Sequence, residues 1–322
     1  MAIYTKLSEN NLKEFFLKYN LGKLLNYKGI QEGIENTNYF IQTDKGKFIL
    51  TVYEKRVEEK DLPFFMGLMK NLFDANFPSP EPIINKNGNY VTEISGKKAA
   101  VVSFLDGSAK KNLNPNDCHK VGIQAAKLHL ITKNLIGKRE NKLSVNSWRK
   151  IYKKVQKDCS RIHLNLTKTI EKNLDEIENN WPKNIPAGII HADLFPDNIF
   201  FKDDKLTGII DFYFSCYDFY VFEIAICLNA LCFEGQKENL SFNVTKAKKF
   251  IDGYSSIRKL TEEEKKSLKI LCQGAAMRFL LTRVFDYVNL IEGALVKIKD
   301  PIEYLKRLEF HNSVKSYQDY FF

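Results

Sequence analysis

The run His191-Ala192-Asp193-Leu194-Phe195-Pro196-Asp197-Asn198, with Asp211 thirteen residues beyond its end, constrains this chain more than any other feature. The octet has the spacing His-x-Asp-x-x-x-x-Asn, and Asp211 lies at the end of the apolar run Gly208-Ile209-Ile210-Asp211-Phe212. A few fixed residues gain meaning only from their context. Here Ala187 to Ile190 is a short apolar run able to deliver His191 at a strand end. Ile199-Phe200-Phe201 and Leu206 to Ile210 flank the polar turn Lys202-Asp203-Asp204-Lys205, the signature of a hairpin. Folding that hairpin is expected to bring Asn198 and Asp211 side by side at its open end.

These residue types suit phosphoryl transfer, which asks the protein for positioning and charge neutralisation more than for covalent chemistry. Asp193 has the place of the group that orients an acceptor hydroxyl and takes its proton. Magnesium prefers hard oxygen ligands and takes few of them from protein. The Asn198 amide and the Asp211 carboxylate are the expected pair. Asp211 could instead be a carboxylate ending a surface strand. Ile209, Ile210, Phe212 and Phe214 crowd it with apolar side chains, however, and an unpaired charge there would be costly. His191 is read as a brace for the loop backbone and not as the base. His129, in Ala126-Lys127-Leu128-His129-Leu130, is read as a packed, hydrogen-bonded histidine.

Composition narrows the partners. The 322 residues carry a net charge of +10, which invites a nucleic-acid reading. The excess lysine lies in scattered clusters such as Lys110-Lys111 and Lys265-Lys266, without the interleaved aromatics of a stacking platform. A solvated basic surface is expected, with no nucleic-acid partner. No stretch approaches the ~18 uninterrupted apolar residues of a membrane span, and Met1-Ala2-Ile3-Tyr4-Thr5-Lys6 lacks a signal-peptide core, so a cytoplasmic location is expected. Six cysteines without a C-x-x-C pair read as reduced, partly buried thiols. No G-x-x-x-x-G-K-[ST] phosphate loop is present.

The first hundred residues read as a sheet-rich part, with strands at Leu25 to Gln31, Asn38 to Gln42 and Lys47 to Tyr53. A helix from Lys60 to Ala75 follows, presenting Leu62, Phe65, Leu68, Met69 and Leu72 on one face. After the stiff Pro78-Ser79-Pro80-Glu81-Pro82, a second hairpin spans Tyr90 to Ile94 and Lys98 to Phe104. From residue 115 the pattern is mainly helical, over Asp117 to Leu130, Val145 to Ile162, Leu166 to Asn180, Asp218 to Phe233, Val244 to Tyr254, Glu262 to Asn289 and Ile302 to Tyr317. Thr261-Glu262-Glu263-Glu264 has the form of a capping box.

Several segments together resemble the homoserine kinases of the aminoglycoside phosphotransferase and choline kinase superfamily. They are Gly29-Ile30-Gln31-Glu32-Gly33-Ile34-Glu35-Asn36-Thr37-Asn38-Tyr39-Phe40, the octet at 191–198, Ile210-Asp211-Phe212-Tyr213-Phe214, Leu62-Pro63-Phe64-Phe65 and Ala275-Ala276-Met277-Arg278-Phe279-Leu280. The resemblance implies an α+β, two-lobed protein-kinase-like fold, with a small antiparallel-sheet nucleotide-binding lobe at residues 1–104 and a mainly helical lobe at 105–322. It implies ATP and magnesium as cofactors and L-homoserine as acceptor, phosphorylated to O-phospho-L-homoserine in threonine biosynthesis. The turn Gly33 to Asn38 would cover the phosphates, with Gly33, Asn36, Thr37 and Asn38 as contacts, and Ser103, Phe104 and Leu105 would meet the adenine at the hinge.

Most kinases of this fold hold the phosphates with a Lys or Arg at the centre of the third strand. Thr51 occupies that place here, with Lys47 and Lys55 four residues to either side. The resembling homoserine kinases share the feature, but it leaves the phosphate clamp unassigned. Arg278 and Arg283 are candidates for the acceptor's carboxylate, or for ion pairs with residues such as Asp218 or Glu223. A kinase for another small hydroxyl compound (choline, ethanolamine, methylthioribose or an aminoglycoside) is the nearest alternative. A non-catalytic nucleotide-binding protein of kinase fold is the alternative of another class, and the oligomeric state stays open.

Overall fold

The protein is described from a computed structural model over residues 4–31, 36–54, 57–135, 137–235, 239–289 and 299–321. It divides into two units. The first comprises Met1–Gly107 with Thr207–Tyr213, and the second Ser108–Leu206, Phe214–Glu292 and Lys297–Phe322. The short segment carrying Asp211 therefore belongs to the first unit, although it follows the octet in sequence.

The first unit begins with a helix the sequence pattern did not announce, α1 (Glu9–Phe16), whose Ser8 side chain and Asn11 form a reciprocal cap. Then come β1 (Leu24–Ile30), β2 (Thr37–Thr43), β3 (Gly46–Val52), α2 (Leu62–Asp74), β4 (Pro82–Ile83), β5 (Val91–Ile94) and β6 (Lys97–Ser103). The strands form an antiparallel sheet in the order β1-β2-β3-β6-β4, with β5 also on β6. Side chains alternate between faces along a strand. Tyr39, Ile41, Leu50, Val52, Ala99 and Val101 bury one face against Leu12, Phe15, Phe16 and Tyr19 from α1 and its C-terminal end. The opposite face therefore carries Asn38 and Phe40 on β2 and Ile49 and Thr51 on β3, with Asn38 directly opposite Thr51. All five predicted apolar positions of α2 are buried.

The second unit starts with β7 (Ser108–Ala109), α3 (Pro115–Ile131), α4 (Val145–Val155), α5 (Cys159–Ile162), α6 (Leu166–Asn180), β8 (Ala187–Ile190) and β9 (Ile199–Lys202). The chain passes through β10 (Lys205–Ile209) and the first unit, then returns as β11 (Cys216–Phe219) and α7 (Tyr220–Leu231). It ends with β12 (Phe233–Glu234), β13 (Ser241–Phe242), α8 (Val244–Ile257), α9 (Glu262–Val288) and α10 (Ile302–Ser313). The helix expected over Val145 to Ile162 is interrupted by a 3-10 turn at Gln156–Asp158. The helix expected from Asp218 begins only at Tyr220, because Cys216 to Phe219 pairs antiparallel with β8 and satisfies its backbone. A run of apolar residues is compatible with either state, and the partner strand decides it.

Thr261 and Glu264 do cap α9 reciprocally, as their spacing suggests. Helices α3 and α8 meet at glycines: a Cβ on Gly122 would lie 2.1 Å from the Phe250 carbonyl oxygen, and one on Gly253 2.1 Å from that of His119. His129 is fully buried, hydrogen-bonded through Nδ1 to the Tyr254 hydroxyl at 2.7 Å, and stacked on Tyr220. Burial holds its imidazole well below the usual range, so it is a neutral packing group. All six cysteines are buried free thiols. No described helix is long and apolar enough to cross a membrane.

Candidate active site

Strand β8 delivers His191 at its end, and from there the backbone turns sharply. Ala192 has φ +64°, a left-handed conformation costly for a residue with a Cβ. Its peptide groups are held by two side chains far away in sequence. The Glu223 carboxylate, from α7, accepts the Ala192 N–H at 3.1 Å and also the His191 N–H. The Arg278 guanidinium, from α9, donates to the Ala192 carbonyl at 2.7 Å. His191 is fully buried and its Nδ1 accepts the Asp193 N–H at 3.2 Å, which is a bracing role.

Asp193 and Asn198 come together within this loop. The Asn198 Nδ2 donates to the Asp193 carbonyl at 2.9 Å and to its carboxylate at 3.2 Å. With its nitrogen tied, the amide has its oxygen left as a neutral ligand or acceptor. Burial raises the Asp193 carboxyl above the ordinary carboxylate range, against the opposing pull of Arg278, Lys299 and the Asn198 amide. A carboxylate so raised is a better proton acceptor than an exposed one. Phe195 packs edge-on against Phe279 of α9 at 4.9 Å, so the octet is fastened to that helix by an aromatic contact as well.

Glu223, read from the sequence only as an ion-pair partner for an arginine, instead holds the loop backbone. It is 1 % exposed, and burial pushes its carboxyl up to about 7 despite the two backbone donors. The available signal was a lone acid in the otherwise apolar stretch Tyr220 to Leu231. Arg278, 2 % exposed, lies over the Phe279 ring and is bonded to the loop backbone; neither Asp218 nor Glu223 forms a salt bridge with it among the described residues. Arg283 is committed elsewhere, donating to Glu303 at 2.8 Å and to the Asp300 carbonyl at 2.9 Å. Asp218 accepts from Asn141 and from its neighbour Phe219.

In the first unit, Asp211 also has a left-handed backbone, φ +65°. Of the residues expected at the phosphates, Gly33 lies outside the described residues. The Thr37 hydroxyl is buried and already bonded to Glu54, Tyr4 and Thr5. Asn36 accepts the Glu54 N–H. The Asn38 Oδ1 accepts from Thr51, which leaves its amino group without a hydrogen bond among the described residues. Of the three hinge candidates, Ser103 exchanges hydrogen bonds with Glu81 and the Phe104 N–H donates to the Lys47 carbonyl. Leu105 has no backbone partner among the described residues.

Comparison with known proteins agrees with this architecture. The model of the phosphotransferase enzyme family matches residues 26–259. The chain is 46% identical over 314 residues to the homoserine kinase of Beijerinckia indica, covering 98% of this chain and 97% of that one. It is 43% identical over 320 residues to the homoserine kinase of Agrobacterium fabrum, covering 99% and 98%. Among solved structures, an amicoumacin kinase in complex with AMP-PNP and calcium has a TM-score of 0.70 at 15% identity, over 97% of this chain and 95% of that one. A spectinomycin phosphotransferase bound to ADP has a TM-score of 0.68 at 12% identity, over 96% and 99%. These two establish an α+β, protein-kinase-like fold. The chain belongs to the phosphotransferase enzyme family and, within it, to the homoserine kinases.

Proposed function

We propose that this chain transfers the γ-phosphoryl group of ATP to the hydroxyl of L-homoserine, forming O-phospho-L-homoserine and ADP. The observation that carries the reading is the loop at 191–198: a carboxylate with a raised pKa, tied to an amide whose oxygen has no hydrogen bond among the described residues, on a backbone pinned from both sides. Asp193 orients the acceptor hydroxyl and takes its proton as the oxygen–phosphorus bond forms and the bond to ADP breaks. Asn198 and Asp211 are the oxygen donors for magnesium, a hard cation that neutralises phosphate charge when bound. Asn38 offers its amino group to the phosphates, and Leu105 offers its backbone groups to the adenine.

The acceptor's carboxylate suits a guanidinium. Arg278 is the better of the two candidates, because it already touches the loop that carries Asp193, whereas Arg283 is paired with Glu303. The substrate assignment itself is supported by relatives at 43–46% identity over nearly the whole chain. ADP release measured across a panel of acceptors tests it. L-homoserine should be turned over fastest, and faster turnover of choline, ethanolamine, methylthioribose or an aminoglycoside would reject it.

A further inference from the structure

The Glu54 carboxylate, just past the end of β3, gathers partners from three distant segments of the first unit. Its Oε1 accepts the Thr5 hydroxyl at 2.7 Å and the Thr37 hydroxyl at 2.8 Å, and its Oε2 accepts from the Lys97 ammonium at the start of β6. That ammonium also donates to the Thr5 oxygen at 2.7 Å. Burial disfavours the Glu54 anion, but the hydrogen bonds from Lys97, Thr5 and Thr37 outweigh it and hold the carboxyl below its ordinary range. The Thr37 oxygen in turn accepts the backbone N–H groups of Tyr4 and Thr5 at 3.0 and 3.2 Å. A hydroxyl has one proton to give and two lone pairs to offer. The Thr37 side chain is therefore saturated, and it serves as a strut and not as a phosphate contact.

The same residue grips Asn36 through its backbone, for the Glu54 N–H donates to the Asn36 Oδ1 at 3.2 Å. Asn36 and Thr37 are thus both bonded directly to Glu54, one to its amide and one to its carboxylate. From there β2 runs on in register with β3, Thr37 opposite Val52 and Asn38 opposite Thr51. The Asn38 Oδ1 accepts the Thr51 hydroxyl at 2.8 Å. An amide anchored by its oxygen keeps both N–H protons to give, which suits an anion.

We propose that Glu54 is a positioning residue for the turn at 36–38, fixing it so that the Asn38 amino group is set for the nucleotide phosphates. The grip is neutral overall, because Lys97 balances the carboxylate. The inference rests on the reading of Asn38 as a phosphate contact.

Thr37→Val removes the hydroxyl at nearly the same shape, Glu54→Leu removes the whole carboxylate, and Glu54→Gln keeps an oxygen for the two threonines. ATP affinity by calorimetry is measured beside steady-state constants and thermal melts. The Kd and KM for ATP should rise roughly three- to tenfold in Thr37→Val and Glu54→Leu, as for one lost hydrogen bond. The rise should be smaller in Glu54→Gln. Thr37→Ser should keep the wild-type values, and the KM for L-homoserine and the kcat at saturating ATP should stay put throughout. A lower melting temperature in Thr37→Val with unmoved ATP constants would make the cluster a fastening of the fold only and overturn the proposal. Asn38→Ala separates the two readings. If it weakens ATP binding while Thr37→Val and Glu54→Gln move nothing, the positioning role is wrong and the phosphate contact stands. If Asn38→Ala leaves ATP affinity intact, the phosphate reading fails and this inference falls with it.

Discussion

Arg278 donates to the carbonyl of Ala192 at 2.7 Å across 86 residues of sequence, while the amide on the other side of Ala192 is held by Glu223. The residue that precedes Asp193 is thus gripped on both of its peptide faces. Its left-handed φ of +64° has a cost, and two buried, charge-assisted hydrogen bonds offset it.

Replacing Arg278 by Met should leave the Ala192 carbonyl unpaired, lowering stability by about 1–3 kcal/mol. The guanidinium also lowers the Asp193 pKa, so its loss should move the acidic limb of the kcat profile to higher pH. A variant that melts earlier but keeps the wild-type limb would show that Arg278 only packs the loop.

Asp193→Ala should spare Mg-ATP affinity while lowering kcat by ~100-fold or more, roughly 2.7 kcal/mol at 1.36 kcal/mol per decade. Asp211→Ala should weaken Mg-ATP binding and turnover together, and Asn198→Ala should do the same more mildly, as befits a neutral ligand. Calorimetry beside steady-state kinetics distinguishes them. Loss of nucleotide binding in Asp193→Ala, with both quantities intact in Asp211→Ala, would reverse the assignment of base and metal ligand.

Glu223 links folding to pH. Its carboxyl is raised from 4.5 to about 7 by burial, so between those values the folded chain binds the extra proton and the unfolded chain does not. Its contribution to stability is therefore fully present below about 4.5, declines as pH rises towards 7, and stays lost above. The integrated effect is of the order of 3 kcal/mol. Glu223→Gln, which retains an oxygen for the two amides, should remove this component from the pH dependence of denaturant midpoints. An identical pH slope in both proteins would contradict it.

Gly122→Ala should destabilise the second unit by about 1–3 kcal/mol, because the new methyl meets the backbone of α8 rather than a side chain that can move. Thermal melts of Gly122→Ala and of Gly253→Ala should both shift downward. Gly67→Ala has open space at its Cβ and lies within α2, so it should be neutral or slightly stabilising.

What the sequence determined by itself was local. The spacing from His191 to Asn198, the apolar approach to Asp211, the capping box at Thr261 and the buried stripe of α2 all follow from short-range patterns and were legible as such. Tertiary structure decided which distant residues serve them. Glu223 lies 32 positions beyond His191 and Arg278 lies 86 beyond Ala192, and no periodicity distinguishes either from an ordinary helix residue. Cys216 to Phe219 became a strand because β8 needed a hydrogen-bonding partner, a demand that exists only once β8 is in place. Thr51 reads as a missing lysine until β2 sets Asn38 directly opposite it, to accept its hydroxyl. A buried polar group or a strained turn must be satisfied by whatever the fold sets beside it, and that neighbour is chosen by packing, not by proximity in the chain.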